Sequence, residues 1–373
     1  MVLAIRKFLF PIAFVLNILT LVYITDMSKS FLSDLTKSGT FIVAEVSGNH
    51  SGDLDICKRL IREAKLAGAN AVKFQTYTPD TLTLNTDSED FLIPLESPWA
   101  HYGNQFALYQ DAHTPWNWHP ELFEYAHSLN ILAFSSPFDE TAVDFLESLG
   151  CPIYKLASPE INHLPLVKRI AQTGKPIIMS LGIATELELD QAISTFQKYS
   201  SAEIGILHCD TNYPAPISNA NLNQIKYLLQ KYDQIIGYSD HTLGYSAAAV
   251  AVALGAKIIE KHIRIDDSSV ESPDHFFSTN EEDFKSMIEM IREVEDLIGK
   301  ASFRQESGFE DFAIRRSIYP SCDIELGQTI TKDMIKIVRP GYGITPSKIG
   351  NIVGSVAKRK IRLGERISEQ DFE

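Results

Sequence analysis

From residue 41 onward, short apolar runs alternate with longer amphipathic stretches. The apolar runs span 41–46, 70–75, 131–136, 152–157, 176–181, 203–209, 234–239 and 257–263. Each is rich in β-branched or aromatic residues and predicts a strand, whereas the stretches between them have helical spacing and several end at a glycine. Eight such pairs predict a (β/α)8 barrel, and near-continuous apolar strands favour it over an open doubly wound sheet.

Two regions depart from this alternation. Residues 76–119 follow the second strand without it, and we expect an extended loop there. After a helix at 280–298 comes a polar linker at 300–313, then a module in which DIELGQTITKDM and KIRLGERISEQDF are similar. Each of these segments predicts a strand, a glycine turn, a second strand and a short acidic turn. We therefore expect a barrel domain at 38–299 and a small domain at 314–373.

The N-terminal residues 1–37 form a separate segment. Arg6 and Lys7 precede residues 8–25, a run without charge that is near the lower length limit for a membrane-spanning helix and also resembles a signal-peptide core. Basic residues before such a run would keep the N-terminus in the cytoplasm. Met27 is an equally suitable start for a soluble enzyme. A membrane anchor and a chain that begins at Met27 both stay open.

The overall charge restricts the classes of ligand. Asp and Glu number 48 against 34 Lys and Arg, which gives a formal net charge of −14. This balance argues against binding to a nucleic-acid backbone, so an anionic ligand needs a local positive pocket. The four cysteines contain no CxxC pair, and we expect them to be reduced in a cytoplasmic protein.

Polar residues gather at the C-terminal ends of the predicted strands, where barrel active sites lie. They are Glu45, Lys73, Gln75, Ser135, Ser136, Lys155, Ser158, Glu160, Ser180, His208, Asp210, Ser239, Asp240, His241, Glu260 and His262. Lys73 and Gln75 are two residues apart, as are Glu260 and His262, so each pair faces one side of its strand. Polar side chains inside a barrel are costly unless they are paired or used.

Each group has a functional and a structural interpretation. Lys73 and Lys155 predict a cradle for phosphate or carboxylate, although either could instead pair with Glu45. The serines could bind a ligand or only close turns and cap helices. His241 alone would be typical of a structural histidine, but His241 and His262 at the ends of consecutive strands could together hold a divalent ion with open positions.

A family resemblance rests on a series of segments. They are AEVSGNHSG, AVKFQTYTPDTLTLN, FSSPFD, YKLASPEI, KPIIMSLGIAT, GYSDHTLG, IIEKH and VRPGYG. In this order they resemble the sialic acid synthase family, enzymes that condense phosphoenolpyruvate with an amino sugar. The resemblance extends from residue 41 to the C-terminus. TYTPDTLTLN, TPWNWH, SSPFD and SVESPDHFFS are most similar to the branch that makes pseudaminic acid, and the legionaminate branch is next nearest.

The resemblance implies a transferase reaction. Phosphoenolpyruvate, water and 2,4-diacetamido-2,4,6-trideoxy-β-L-altropyranose would give pseudaminic acid and phosphate by C–O cleavage. The C-terminal module resembles the SAF, or antifreeze-like, domain, which in the family covers the barrel mouth of the partner subunit in a domain-swapped homodimer. Arg339, in the RPG motif, is implied to reach the sugar.

The resemblance also implies residue roles. The catalytic set is Glu45 as general acid and base, with His241 and His262 as ligands of Mn²⁺ or Mg²⁺. Phosphoenolpyruvate would bind Lys73, Ser136, Lys155, Ser158 and Ser239. The sugar would bind Gln75, Glu160, Tyr213, Asp274 and Arg339. One departure concerns CDTNYP, where Asn212 comes one position later than the asparagine of the neuraminate branch and Thr211 takes its place. The resemblance therefore carries over Tyr213 but no asparagine contact.

Other functions stay open at this level. Within the family, the product could be N,N'-diacetyllegionaminate or N-acetylneuraminate. A Schiff-base aldolase would use Lys73 or Lys155 as its nucleophile. A non-catalytic sugar-binding protein, tethered by its N-terminus, is the third class.

Overall fold

The computed structural model describes residues 30–267, 270–301 and 309–373. The N-terminal apolar run and Met27 lie outside the described residues. The chain divides into two compact units, one that ends at Gly299 and one from Lys300 to Glu373. Among the helices in the described ranges, none is long and apolar enough to cross a membrane.

The first unit is built on a closed sheet of parallel strands. Its strands are β1 (Phe41–Glu45), β2 (Ala71–Thr76), β3 (Leu132–Pro137), β4 (Tyr154–Leu156), β5 (Ile177–Ser180), β6 (Ile204–Cys209), β7 (Ile235–Asp240) and β8 (Ile258–Arg264). Neighbours in sequence pair in parallel, and β1 also pairs with β8. The predicted (β/α)8 barrel is therefore confirmed. A two-residue strand, β9 (Thr279–Asn280), pairs in parallel with the end of β8.

Helices surround this barrel. They are α1 (Phe31–Leu35), α2 (Leu54–Ala67), α3 (Pro79–Leu82), α4 (Gln105–Ala112), α5 (His119–Ser128), α6 (Glu140–Ser148), α7 (Leu164–Ala171), α8 (Glu186–Tyr199), α9 (Asn223–Lys231), α10 (Ser246–Ala253) and α11 (Glu281–Ile298). Local sequence sets their ends. The Asp53 side chain accepts hydrogen bonds from two N–H groups in the first turn of α2, and Gly68 ends that helix at a φ of 99°.

The segment at 76–119 is more ordered than the loop expected from its sequence. It contains α3, α4 and 3-10 turns at Glu89–Phe91, Ala100–Tyr102 and Trp116–Trp118. One indole bond attaches it to the rest of the barrel domain, because Trp99 Nε1 donates to Pro273 O at 2.8 Å. A second indole bond, from Trp116 Nε1 to Tyr77 O at 3.0 Å, lies within the segment, and the Trp116 ring stacks on Phe145 of α6. The segment can therefore form a defined wall beside the strand ends.

The β7–α10–β8 unit requires small residues. A Cβ atom on Gly237 would lie 2.5 Å from the Ile258 carbonyl oxygen, so glycine permits the close packing of β7 on β8. Ala248 and Ala251 of α10 are fully buried, and α10 packs against α11. This packing positions the ends of the two strands that carry the predicted histidine pair.

The second unit has its own small core. It contains α12 (Phe309–Ile314), the antiparallel strands β10 (Ser317–Pro320) and β11 (Ile335–Val338), and α13 (Ile349–Ile352). Ile318, Ile324, Ile330 and Ile361 are buried together.

The strands predicted in the two similar segments of this unit are wrong. There the backbone pairs only through isolated bridges, Ile324 with Ile361, Thr329 with Val356 and Ala357 with Phe372. The glycine turns and the acidic 3-10 turns at Lys332–Met334 and Glu369–Asp371 are present. Because the chain turns at glycine within a few residues of each bridge, too little extended backbone remains for a ladder.

Candidate active site

A cavity of about 440 Å³ lies at the C-terminal ends of the barrel strands. The predicted residues that line it are Lys73, Gln75, Ser136, Lys155, Ser158, Glu160, Tyr213, Ser239, His241, His262 and Asp274. Glu45 is fully buried and contacts the lining residues Lys73 and Gln75. The fold thus gathers side chains that are up to about 230 residues apart in sequence into one site.

Lys73 lies between two carboxylates. Its Nζ forms an ion pair with Glu45 Oε2 and lies 3.6 Å from Glu260 Oε1. The same ammonium donates to Ser136 Oγ at 3.2 Å, and Gln75 Nε2 donates to Glu45 Oε1 at 3.2 Å. The buried ion pair that the sequence offered as an alternative for Glu45 therefore exists, and it lies inside the candidate site.

Lys155 approaches Glu260 from another strand. Its Nζ donates to Ser180 Oγ at 2.6 Å and lies 3.8 Å from Glu260 Oε1. Ser239 Oγ donates to the same Glu260 oxygen at 3.1 Å. The second oxygen, Oε2, has no hydrogen-bond partner within the described residues. Glu260 thus holds both lysines beside the cavity.

Burial and neighbouring charges separate the two glutamates. Burial raises the pKa of Glu45 to about 7, although the Lys73 ammonium opposes the rise. Burial also favours the neutral form of Glu260, but Lys155 and Lys73 hold its pKa below the usual value. Burial lowers the pKa of Lys155. Near neutral pH, Glu45 can therefore gain or lose a proton while Glu260 stays charged.

His241 and His262 face each other at the ends of β7 and β8. Their ring centroids are 5.4 Å apart. Since a carbonyl oxygen only accepts, His241 Nδ1 donates to Asp210 O at 2.5 Å, which leaves Nε2 unprotonated in the neutral ring. His262 Nδ1 has no partner in the described chain. Burial lowers the pKa of both rings, so both are neutral near pH 7.

Two neutral imidazoles in this arrangement fit a divalent cation with open coordination positions. Within the ranges that the structure describes, no group of three or more His, Cys, Asp or Glu side chains is arranged as a metal site. A metal would thus have two protein ligands and take its remaining ligands from water and substrate oxygens. Such a site would differ from a structural zinc site, which is closed by four protein ligands.

The side of the cavity predicted to bind sugar contains the carboxyl groups of two half-buried residues, Glu160 and Asp274. Glu160 Oε2 has no partner among the described residues, and burial raises the pKa of this carboxyl to about 7. Burial raises the pKa of Asp274 to about 6, and its Oδ2 accepts hydrogen bonds from Ser47 Oγ and Gly48 N. The Tyr213 ring lies 4.4 Å from the His241 ring, between centroids.

The altered CDTNYP motif places a different residue at the cavity. Thr211 lines the cavity. Asn212 is exposed, and its backbone N and side-chain Nδ2 both donate to Asp210 Oδ1, at 2.7 and 2.6 Å. Thr211 therefore lies at the cavity, in the slot that the resemblance gives to the asparagine of the neuraminate branch.

The Ser158 hydroxyl is engaged by the next loop. It donates to Leu181 O at 2.8 Å and accepts from Ile183 N at 2.9 Å. A Cβ atom on Gly182 would lie 2.3 Å from this hydroxyl. The turn-closing interpretation from the sequence thus holds for Ser158, which still lines the cavity.

Among the lining residues that were given no role from the sequence, three shape the site. Glu260 and Ser180 stood among the polar strand ends, and the two-residue spacing of Glu260 from His262 already placed both on one side of β8. Trp99 comes from the 76–119 segment, which gave no periodic signal. Its ring lies 6.1 Å from Tyr213 and 5.8 Å from Phe276, between centroids. Only the folded chain brings it to the cavity.

Arg339 belongs to the second unit. It lines a separate cavity of about 330 Å³ there, together with Tyr319, Lys336 and Pro340. Its side chain is exposed. Its role toward a sugar stays a prediction.

The raised pKa of Glu160 makes the stability of the barrel pH-dependent. The folded state retains this proton up to about pH 7, whereas the unfolded chain releases it near the usual glutamate pKa of 4.5. The stabilisation is therefore present at low pH and lost as the pH rises. Glu160→Gln does not titrate. We expect it to gain on the order of 2 kcal/mol of unfolding free energy over wild type between about pH 5 and pH 8.

Calorimetric melting of the barrel unit in both proteins over this pH range measures the difference. A difference in Tm that does not change with pH would contradict the prediction.

Comparison with known proteins extends this description. The family model described as the NeuB family matches residues 60–303, and that of the SAF domain matches residues 315–373. Pseudaminic acid synthase of Campylobacter jejuni subsp. jejuni serotype O:23/36 (strain 81-176) is 40% identical over 338 residues, which cover 90% of this chain and 98% of the relative. N,N'-diacetyllegionaminic acid synthase of Legionella pneumophila subsp. pneumophila (strain Philadelphia 1) is 35% identical over 339 residues, which cover 89% and 94%.

A solved structure agrees with these relatives. The N-acetylneuraminic acid synthetase of Leptospira borgpetersenii serovar Hardjo-bovis, in complex with citrate, has a TM-score of 0.63 and 33% identity to this chain, and the match covers 72% of this chain and 88% of the other. The fold and the cavity are those of a barrel synthase with an added C-terminal domain. The chain belongs to the NeuB family and carries a SAF domain. The resemblance inferred from the sequence is confirmed.

Proposed function

We propose that this protein is a transferase that condenses phosphoenolpyruvate with a diacetamido-trideoxy hexose to make pseudaminic acid. One observation carries the proposal: two buried lysines, two buried glutamates and two neutral histidines converge on one cavity, in a chain that is 40% identical to a pseudaminic acid synthase over most of its length. Lysines suit an anionic substrate, and neutral imidazoles suit a metal that binds an oxygen atom of the sugar.

Phosphoenolpyruvate would bind on the lysine side. Its phosphate and carboxylate would pair with Lys73 and Lys155. The Nζ atoms of both lysines lie within 4 Å of Glu260 Oε1, which holds them side by side. Ser136 would add a hydroxyl donor, and Ser239 would add one by exchanging its bond to Glu260 for a bond to the substrate. Ser158 would contribute through the loop it orders rather than through a free hydroxyl. Because the chain as a whole is acidic, this local pair of cations would provide the attraction for the anion.

The sugar would bind on the histidine side, next to Gln75, Glu160, Tyr213 and Asp274, and Arg339 would complete its binding. A divalent metal on His241 and His262 would supply Lewis-acid polarisation of the open-chain aldehyde. C3 of phosphoenolpyruvate would then form the new C–C bond, water would add at C2, and phosphate would leave by C–O cleavage. Glu45, with a pKa of about 7, can accept the proton of that water and return it.

The 76–119 segment supports the choice of acceptor sugar. Its lining residues are largely apolar: Leu82, Leu92, Ile93, Pro94, Trp99, Leu108, Tyr109 and Ala112. The proposed sugar has two acetamido methyl groups and a C6 methyl group, whereas N-acetylmannosamine has one acetamido methyl and a hydroxymethyl group. Apolar contacts with three methyl groups would favour the deoxy sugar.

Assembly and location follow from the same proposal. The SAF domain and its Arg339 support a homodimer in which the second unit contributes to sugar binding. Phosphoenolpyruvate is a cytoplasmic metabolite, so the enzyme would act in the cytoplasm.

Phosphate release tests the reaction. The full-length protein would be incubated with phosphoenolpyruvate, Mn²⁺ and each of three sugars: the trideoxy altrose, its legionaminate counterpart and N-acetylmannosamine. We expect release with the first sugar and loss of release in EDTA. Turnover with N-acetylmannosamine alone would refute the branch. A substrate adduct trapped by borohydride, without phosphate release, would favour the Schiff-base aldolase.

Trp99 is predicted to control acceptor binding. Trp99→Leu removes the indole at the cavity wall, and we expect the KM for the sugar to rise roughly 10- to 100-fold while the KM for phosphoenolpyruvate changes less than about twofold. Steady-state kinetics with each substrate varied in turn measures both constants.

Trp116→Leu is the matched control for this variant. Its indole also donates to a backbone carbonyl, that of Tyr77 within the same segment, and its ring packs on Phe145 of α6. We expect the control to keep the wild-type KM for the sugar. Equal effects of the two substitutions would show that they act through the fold of the segment and not through sugar contact.

A further inference from the structure

A buried ion pair lies behind the two histidines. Asp240 and Lys261 are 1% and 2% exposed, and Lys261 Nζ donates to Asp240 Oδ2 at 2.7 Å. The two residues are register partners at the end of the β7–β8 ladder. Since successive side chains of a strand point to opposite faces, this pair lies on the outer face of the sheet, whereas His241 and His262, the next residues along, face the cavity.

The pair also holds the backbone where β7 ends. Lys261 Nζ donates to Thr242 O at 2.8 Å, and Asp240 Oδ1 accepts from Thr242 N at 3.0 Å and from Thr242 Oγ1 at 2.8 Å. His241 is the residue between Asp240 and Thr242. Backbone pairing between β7 and β8 stops at Asp240. Beyond this residue, at the position of His241, the side-chain bonds of Asp240 and Lys261 connect the end of β7 to β8.

Stability alone does not account for two buried charges. Apolar residues of similar volume often stabilise a protein as much as a buried ion pair does, or more, because burying charge is costly. Apolar residues, however, cannot bond the N–H and carbonyl groups of Thr242. These bonds, together with the bond from Ala215 N to His241 O at 2.8 Å on the other side, fix the His241 backbone from two directions.

We propose that Asp240 and Lys261 are positioning residues that hold His241 opposite His262 for binding of the metal ion. The inference rests on the proposed function, in which the two imidazoles are ligands. Neither residue lines the cavity, so their effect would reach the substrate only through His241.

The test separates positioning from stability. Lys261→Met alone leaves Asp240 charged and unpaired, so it loses stability under either interpretation. The double variant Asp240→Leu/Lys261→Met removes both charges but cannot bond Thr242. We expect the Tm of the double variant to return to near the wild-type value. Its affinity for Mn²⁺ should remain roughly 10- to 100-fold weaker than that of the wild type, which is the usual effect of losing a residue that orients a metal ligand. Electron paramagnetic resonance on the full-length protein measures this affinity. kcat should fall with little change in the KM for phosphoenolpyruvate.

Two further variants complete the experiment. Arg292→Met/Glu295→Leu removes an ion pair of α11, remote from the histidines, and should keep wild-type Mn²⁺ affinity. If the double variant does not fold, Thr242→Val is tested in its place. This substitution removes the bond from Thr242 Oγ1 to Asp240 without leaving a charge unpaired, and it should still weaken Mn²⁺ binding several-fold. Wild-type Mn²⁺ affinity in the folded double variant, or in Thr242→Val, would overturn the inference.

Failure of the metal assignment would be visible separately. If the wild-type protein binds no Mn²⁺, the metal role in the proposed function fails. The positioning inference is then decided by crystal structures of the wild type and the double variant. Displacement of the His241 ring from its bond to Asp210 O would support positioning, and an unchanged ring would overturn it.

Discussion

His241→Ala is expected to lower kcat by roughly 10³-fold or more, because loss of a metal that stabilises the transition state by several kcal/mol corresponds to at least that factor. The structure supports this expectation through the tautomer of His241. Its Nδ1 is engaged by Asp210 O, so the basic Nε2 is the atom available for a metal on the cavity side. The Tyr213 ring packs against His241 and the Phe277 ring against His262, at 4.4 and 4.9 Å between centroids.

Stopped-time assays of phosphate release, with Mn²⁺ titrated into both proteins, measure this effect. His208→Ala is a suitable control because His208 is also a buried histidine near the end of a barrel strand, and its Nε2 donates to Ala220 O. The control should lower Tm but keep kcat. Full activity of His241→Ala at low Mn²⁺ would remove the histidine pair from the mechanism.

Glu45→Gln is expected to lower kcat by about 10²- to 10⁴-fold, the usual range for loss of a general acid or base. The substitution preserves the shape of the side chain but removes the group that titrates near pH 7. In the wild type, the carboxylate form must accept the proton of the attacking water. The rate should therefore rise with pH through about 7, and this rise should be absent in the variant.

The stability of the Glu45→Gln variant should change in the opposite direction to its activity. Burial raises the folded-state pKa of Glu45 above its unfolded value, so its stabilising contribution is present at low pH and is lost as the pH rises through about 7. The variant should therefore melt at a higher temperature than wild type above that pH. Glu203→Gln, which alters a carboxylate bonded to Leu32 N, is the control and should retain kcat. A wild-type pH–rate profile in Glu45→Gln would assign the titration to another group.

Much of the barrel was predictable from local pattern. All eight predicted strands overlap the observed ones within a few residues, because buried parallel strands are short apolar runs separated by capped helices. The SAF unit was less predictable: DIELGQTITKDM has a strand-like composition, but its backbone forms only single bridges. Strand formation depends on a partner of sufficient length, and that partner lies elsewhere in the chain.

The candidate site, like the fold, was predictable in part from local sequence pattern and in part only from the tertiary structure. The sequence by itself determined which polar residues stand at the strand ends and which of them share a face, because side-chain alternation depends only on position along the strand. Only the tertiary structure decided that Glu260 lies within 4 Å of both Lys73 and Lys155, that Trp99 reaches the cavity, and that Asp240 and Lys261 pair behind the histidines. These contacts join residues far apart in sequence, and closure of the barrel sets their distances. The same closure buries Glu45 and so raises its pKa. Barrel closure and burial are not properties of any local segment.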